Sequence, residues 1–408
     1  MTPVVTATTH PRTSVRWPLL IVLATLAAVA PVATDLYLPG FPAMGDELGA
    51  SASGVQLTLT TFLVGLAAGQ LVMGSLSDRY GRRAPLVAST AACVLAGAVC
   101  ALAPNVAVLA TARLVQGFAG AGGMVIGRAV IADLVTGRAA ARVFTLMVTV
   151  SGVAPVLAPL AGGLLSGPVG WRGMLWAVTG LCVLMFLGVV LALPETRPPE
   201  HLAQHTSYVA ALRRVAATRS YWPPVIMLAL SFAVMMAYIS ASPFVYQNVV
   251  GLSAVGYGIA FGVNAVGLIG SGWVSSRLVD GVDPVRLVRA AFVVQLVSTL
   301  TFLSLAASGA ATWLLPVPIF VAVATNGAVL GNSAALAMSQ VREVAGTGSA
   351  VLGFSQFALG AVVSPLVGLG GEHSPVVPAL VMAIASTLGF AVSRTTQSRS
   401  SSSAIATS

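Results

Sequence analysis

The chain has 408 residues, of which 57% are hydrophobic and only 8% charged, against roughly 25% charged in an ordinary water-soluble domain; its mean hydropathy is +0.93. A soluble enzyme or binding domain is excluded, and bilayer thickness, at about 20 apolar residues per crossing helix, becomes the ruler. The net charge of +9 rests on arginines scattered between apolar runs, not gathered on one polar face, which argues against a nucleic-acid partner.

In chain order, apolar runs predict membrane-crossing helices near 17–38, 54–74, 86–104, 107–128, 143–166, 172–193, 222–246, 255–276, 285–307, 312–336, 347–369 and 375–392. The first run is long enough to stay in the membrane and is not followed by a small-residue cleavage site, so it reads as a helix and not a removed leader. With a cytoplasmic N-terminus, arginines from Arg12 and Arg16 through Arg79, Arg82, Arg83, Arg138, Arg142, Arg197, Arg213, Arg214 and Arg219 to Arg394 and Arg399 lie beside cytoplasmic loops, and Arg172 alone lies outside. That distribution follows the positive-inside rule. The expected layout is a cytoplasmic tail (1–16), a six-helix half (17–193), a cytoplasmic linker (194–221), a second half (222–392) and a disordered cytoplasmic tail (393–408).

An internal repeat supports two halves. Ala158-Pro159-Leu160-Ala161-Gly162 is echoed by Ser364-Pro365-Leu366-Val367-Gly368, and the loop after the second span is echoed by Gly272 to Arg277. Two repeated halves around a midplane cavity are an architecture of secondary transporters. The fold expectation is therefore an all-α integral membrane protein of about twelve helices in two pseudo-symmetric six-helix halves.

Chemistry concentrates in four stretches. Asp35 lies in the first run, within Ala33-Thr34-Asp35-Leu36-Tyr37-Leu38-Pro39-Gly40-Phe41-Pro42. A carboxylate there is costly unless paired, hydrated or protonated, and a carboxyl group withdrawn from water can exchange protons near neutrality; its bland alternative is an interfacial cap on the turn before Pro39. The loop Gly74-Ser75-Leu76-Ser77-Asp78-Arg79-Tyr80-Gly81-Arg82-Arg83 combines two spaced glycines with an acid and three bases. Gly74 permits close helix approach, Gly81 a tight turn, and Asp78 can pair with arginine or cap a helix, so the cluster can latch helix ends in one conformational state. Positive-inside charge alone would require neither the acid nor the glycines. In the second half Ser276 stands where Asp78 would, which predicts an asymmetric latch.

Arg113 is the one arginine well inside an apolar run, with Gln116 and Gly117 at helical spacing. Its guanidinium must face protein or water, where it can bias a facing carboxylate or hold a polar substrate through forked hydrogen bonds; the alternative is outward snorkelling. The fifth run holds Gly152, Pro155, Pro159, Gly162 and Gly163, a pattern of small residues and prolines that gives tight packing and kinks and also suits an ordinary kinked helix.

These stretches resemble the drug:proton antiporters of the major facilitator superfamily, and Asp35-Leu36-Tyr37-Leu38-Pro39-Gly40-Phe41-Pro42 with Val55 to Gly65 and Gly69-Gln70 resembles its bicyclomycin and chloramphenicol resistance (Bcr/CflA) branch. Arg113 to Gly117 resembles the family's fourth-helix motif, and Gly152 to Gly163 its antiporter motif, with Ala158 in place of the usual glycine. The resemblance implies proton coupling at Asp35 with Arg113 as its charged partner, and gating by Gly74, Asp78, Arg79, Gly81, Arg82 and Arg83. Lining of the cavity by the first, fourth, seventh and tenth spans nominates Tyr37, Gln116, Tyr238, Tyr246 and Asn326 as substrate contacts, with simple packing as the alternative for each. The implied protein is a monomeric multi-pass exporter of the bacterial inner membrane, both termini cytoplasmic. It would exchange protons for small drug-like molecules, such as phenicols or bicyclomycin, or alternatively carry an endogenous metabolite such as a sugar.

No catalytic or cofactor pattern competes with this reading. Cys93, Cys100 and Cys182 lack metal-ligand spacing and read as packing, and His10, His201, His205 and His373 fall in tails or loops. Neither a cofactor nor a metal is expected.

Overall fold

The computed structural model describes residues 17–135, 137–196 and 208–396; Arg12, Arg16, Arg197, Arg399, His10, His201, His205 and most of both tails lie outside them. Thirteen α-helices run in chain order: α1 Trp17–Asp35, α2 Phe41–Leu48, α3 Ala52–Tyr80, α4 Arg83–Ala101, α5 Val106–Leu134, α6 Gly137–Ala192, α7 Tyr208–Ala217, α8 Trp222–Phe244, α9 Ala254–Leu278, α10 Pro284–Ser308, α11 Pro316–Ser339, α12 Ala345–Val367 and α13 Val376–Thr395. No strand occurs among the described residues. Eleven stretches are long and apolar enough to cross a membrane.

One of the eleven is two crossings. Its apolar part, Gly152–Ala192, is 41 residues long, about 60 Å at 1.5 Å per residue and twice a bilayer's apolar thickness. The helical path breaks at Gly170, with φ 61° and ψ −175°, a left-handed φ that glycine adopts freely. Contacts show the reversal. Met147 lies beside Leu26 of α1 where both meet Gly127, Gly162 further along packs on Leu36 at the end of α1, and Gly188, after the break, packs on Val22 back near the start of α1. The expected fifth and sixth spans are thus the two arms of α6, and twelve crossings result.

Helix starts are written locally. Ser51, Asn105, Ser253 and Asp283 each accept a hydrogen bond from a backbone N–H in the first turn of α3, α5, α9 and α10, satisfying donors that a helix start leaves open. Ser51 and Ser253 share the same backbone angles (φ −66°, ψ 164°), so the repeat extends to the capping geometry. The two halves also repeat one close approach: a side chain on Gly117 of α5 would strike the Phe62 carbonyl of α3, and one on Gly327 of α11 would strike the Leu268 carbonyl of α9.

Two expectations are revised. The first run does not continue as one helix to residue 38; α1 ends at Asp35, a 3-10 turn covers Leu38–Gly40, and α2 follows, because Pro39 and Pro42 cannot donate the ladder hydrogen bonds a continuous helix would need. The segment expected as a polar linker contains α7, which carries Arg213 and Arg214 on an otherwise largely apolar helix.

Candidate functional site

The charged loop between α3 and α4 is built around Arg82. Gly81 has φ 84°, and a side chain there would also collide with the Glu195 carboxylate, so glycine serves both the turn and the packing. Glu195 accepts from the Arg82 and Arg83 backbone N–H groups at 2.9 and 3.0 Å, capping the start of α4 where a negative charge is favoured. The Arg82 side chain, only 8% exposed at residue level, donates to Asp133 on α5 at 2.9 Å, to Asp78 at 2.8 Å and to Ser77 at 2.8 Å. Burial works against its charge, but the hydrogen bond and charge of Asp133, then those of Asp78, outweigh it and hold the guanidinium proton more tightly than usual.

Every partner of Arg82 belongs to the first half. The cluster fastens α3, α5 and the end of α6 to one another. Arg79 and Arg83 are exposed; Arg79 stacks on Tyr80, and Arg83 reaches the Val190 carbonyl. In the second half the corresponding contact is neutral: Asn332 of α11 donates to Ser275 of α9 at 2.7 Å, while Ser276 donates to the Trp273 carbonyl of its own helix. Asp133 is the member that the sequence alone hides, being an acid at a helix end with nothing local to mark it.

Arg113 is fully buried. It lies between the rings of Tyr37 and Phe62, at 4.5 and 4.2 Å from their centroids, a favourable setting for a delocalised cation. Its Nη1 donates to Gln116 at 2.7 Å and its Nη2 to the Ala33 carbonyl at 2.8 Å. The α1 ladder ends with Leu36 N–H on the Val32 carbonyl, so Ala33 offers one of the carbonyls a helix end leaves open. All three cysteines are buried; Cys93 and Cys100 contact Gln116.

Asp35, 3% exposed, is the last residue of α1. The ion pair expected between it and Arg113 is not formed in this conformation: the guanidinium is held by Gln116 and Ala33, and Asp35 Oδ1 has no hydrogen-bond partner among the described residues. Instead Asp35 lies within electrostatic reach of Tyr238 and Tyr257 of the second half. These tyrosines belong to a hydroxyl network absent from the sequence expectations. Asn264 of α9 donates to the Tyr238 and Tyr246 hydroxyls at 2.8 and 3.1 Å, and Ser242 bonds the Tyr257 hydroxyl at 3.0 Å. Tyr37 bonds Thr58 at 3.2 Å and stacks through Phe41 towards Phe244. Asn326 stands apart: it accepts from Ser231 at 2.6 Å and donates to carbonyls of its own helix, which makes it a clasp between α8 and α11 and leaves no group facing a cavity.

At the end of the molecule away from Arg82 the two halves meet in a closed seam. Gln56 of α3 donates to the Ser240 carbonyl of α8 at 3.0 Å, and Ser240 and Ser364 hydroxyls bond at 2.7 Å. Gln247 donates to the Pro39 carbonyl at 3.2 Å. The fifth-run motif lies here too. Gly162 abuts Leu36, Gly163 abuts the Ala254 carbonyl, and the Pro159 carbonyl abuts Gly258, whereas Gly152 has no neighbour within 4 Å of where a side chain would start and Pro155 is half-buried.

Residues 23–365 match the Major Facilitator Superfamily. The chain is a member of the major facilitator superfamily. It is 34% identical over 384 residues to the MFS-type transporter YdgK of Bacillus subtilis (strain 168), covering 93% of this chain and 95% of that one. It is 27% identical over 350 residues to a bicyclomycin resistance protein homolog of Haemophilus influenzae, covering 85% and 88%. Among solved structures, a D-xylose-proton symporter superposes with a TM-score of 0.72 at 14% identity over 91% of this chain and 97% of that one. A bacterial homolog of the human lysosomal transporter Spinster, inward-facing and occupied, does so with 0.72 at 16% identity over 92% and 96%. At those identities the likeness establishes the fold. This superfamily member is a multi-pass membrane transporter, and membership rather than any missing group sets it apart from enzymes.

Proposed function

We propose that this transporter exports small drug-like molecules across the bacterial inner membrane in exchange for protons, with Asp35 as the coupling group. The observation that carries the reading is the buried, unpartnered carboxylate oxygen of Asp35 at the boundary between halves. The turn that follows it is bonded by Gln247 of the other half, so taking up a proton at Asp35 changes the energy of the closed seam and biases which face opens. Inward protons then supply about 2.3 kcal/mol per charge per 100 mV of membrane potential. Arg113 acts from α5 by holding the end of α1, and Asp78 with Arg82 keeps the helix ends of the first half in register during rocking.

Similarity to a bicyclomycin resistance protein homolog and to multidrug resistance protein MdtL of Klebsiella pneumoniae favours drug-like cargo, phenicols and bicyclomycin among it. The xylose symporter is too distant in sequence to favour a sugar. The arginine-rich loops support a cytoplasmic position for both termini, and the reading takes 17–193 and 222–392 as the two halves and a monomer as the working unit.

The test uses inside-out membrane vesicles energised to an acid interior. Adding bicyclomycin or a phenicol releases protons from vesicles carrying the wild type, and Asp35→Asn abolishes the release with unchanged membrane insertion. Undiminished release from Asp35→Asn vesicles sinks the coupling role.

A further inference from the structure

At the Arg82 end, below the contact of Gln70 with Gly353, α3 and α5 of the first half separate from the start of α12 in the second. They leave a cavity of about 810 Å³, roofed by Ala210, Ala211 and Arg214 of α7. That is within the range of drug-sized sites, roughly 300–1,000 Å³. Its walls are largely apolar, from Leu71 and Val125 to Val344 and Ala350.

Three arginines and two acids border the cavity, and they are not equivalent. Arg82 is spent on Asp78 and Asp133, and Arg214 pairs with Glu343 across the roof. Arg128 is exposed on the wall. Its Nε donates to the Met124 carbonyl of its own helix at 2.9 Å, and among the described residues no carboxylate lies within ion-pair distance of it. It is also six residues from the end of α5 at Leu134, about 9 Å along the helix axis, deeper than a loop charge needs to be. An arginine fork beside apolar walls matches a flat apolar body carrying one carboxylate or sulfonate.

We infer that this cavity is a loading site for monoanionic amphiphiles, with Arg128 as the group that holds the acid. The inference rests on the export reading only for the word loading; binding is readable without transport or a proton gradient. It gives Arg128 a specificity role distinct from Asp35: neutral cargo passes the cavity, and acidic cargo is retained there first.

The test is equilibrium binding of two isosteric probes, naphthalene-2-carboxylate and naphthalene-2-carboxamide, to purified full-length protein in phosphatidylcholine nanodiscs. Wild type binds the carboxylate about tenfold more tightly, as expected for one charge-assisted hydrogen-bonded pair in a partly hydrated cavity. Arg128→Gln brings the ratio to about one with carboxamide binding unchanged. Arg128→Lys keeps about a threefold preference because the charge remains without the fork, which separates lost recognition from lost folding. Arg277→Gln, which removes a charge stacked on Trp273 outside the cavity, leaves the tenfold preference. Equal binding of both probes by wild type overturns the site, as does an unchanged preference in Arg128→Gln or an equal loss in Arg277→Gln. Phosphatidylglycerol in the nanodisc that displaces the carboxylate in proportion to its content assigns the guanidinium to lipid headgroups and overturns it as well.

Discussion

The two ends of the bundle are held by different chemistry. At the seam, residues far apart in the chain meet across the halves through glycine-to-backbone contacts and neutral hydrogen bonds: Gly163 on Ala254, Gln56 on the Ser240 carbonyl, and Ser364 on the Gln56 carbonyl. At the opposite end Arg82 binds Asp78, Asp133 and Ser77 of its own half, while the halves stand apart around a cavity. A neutral seam can part without exposing unpaired ions, so it opens at modest cost; a buried ion cluster broken open would leave costly charges. The charged cluster is therefore suited to staying intact while its half moves as a body, and the neutral seam to being the surface that parts.

The comparison is tested most severely by overfilling the seam. A side chain on Gly163 meets the Ala254 backbone, which cannot give way as a side-chain tip would. Gly163→Val should disfavour the closed seam by roughly 3 kcal/mol, about a hundredfold in the open-to-closed ratio. The measurement is maleimide labelling of Val245→Cys, a residue buried beside the seam, in a background lacking Cys93, Cys100 and Cys182. Labelling no faster than in the parent would mean that the seam is not held by close packing.

Arg82→Ala comes next. It leaves Asp133, 24% exposed, and Asp78, 53% exposed, without their partner, a loss of about 2 kcal/mol after discounting for solvent. Thermal melting in detergent should fall accordingly while Val245→Cys labelling stays at the parent rate. Labelling that rises as far as it does with Gly163→Val would break the distinction between the ends.

Gln56→Leu should be the mildest. It removes one cross-half hydrogen bond but also a buried amide oxygen that has no partner, so the two effects offset to within about 1 kcal/mol. Labelling should rise by less than about fivefold; a rise matching the glycine variant would shift the weight of the seam from packing to hydrogen bonding.

Much of the architecture was legible because it is written locally. The apolar run lengths, the capping residues Ser51 and Ser253, and the Gly81 turn depend on neighbours within a few residues, and bilayer thickness converts run length into a crossing count. Asp35, Arg113 and the charged loop stood out for the same reason, as costly groups in an apolar setting. What the sequence could not convey was who meets whom. The expected Asp35 to Arg113 pair gives way to Arg113 on the Ala33 carbonyl, because the ending of α1 opens a backbone acceptor that no side-chain pattern advertises.

By itself, then, the order of residues determined a membrane protein of two repeated halves with one intramembrane acid and a charged turn, since hydropathy, caps and glycine turns act over short stretches. Only the tertiary structure decided that Asn264 joins Tyr238 to Tyr246, that Asp133 completes the Arg82 cluster, and that Arg128 borders a cavity with no carboxylate among the described residues within ion-pair distance of it. Those outcomes depend on which helix faces are brought together, and with 42 glycines along the chain nothing local marks the few where backbones touch.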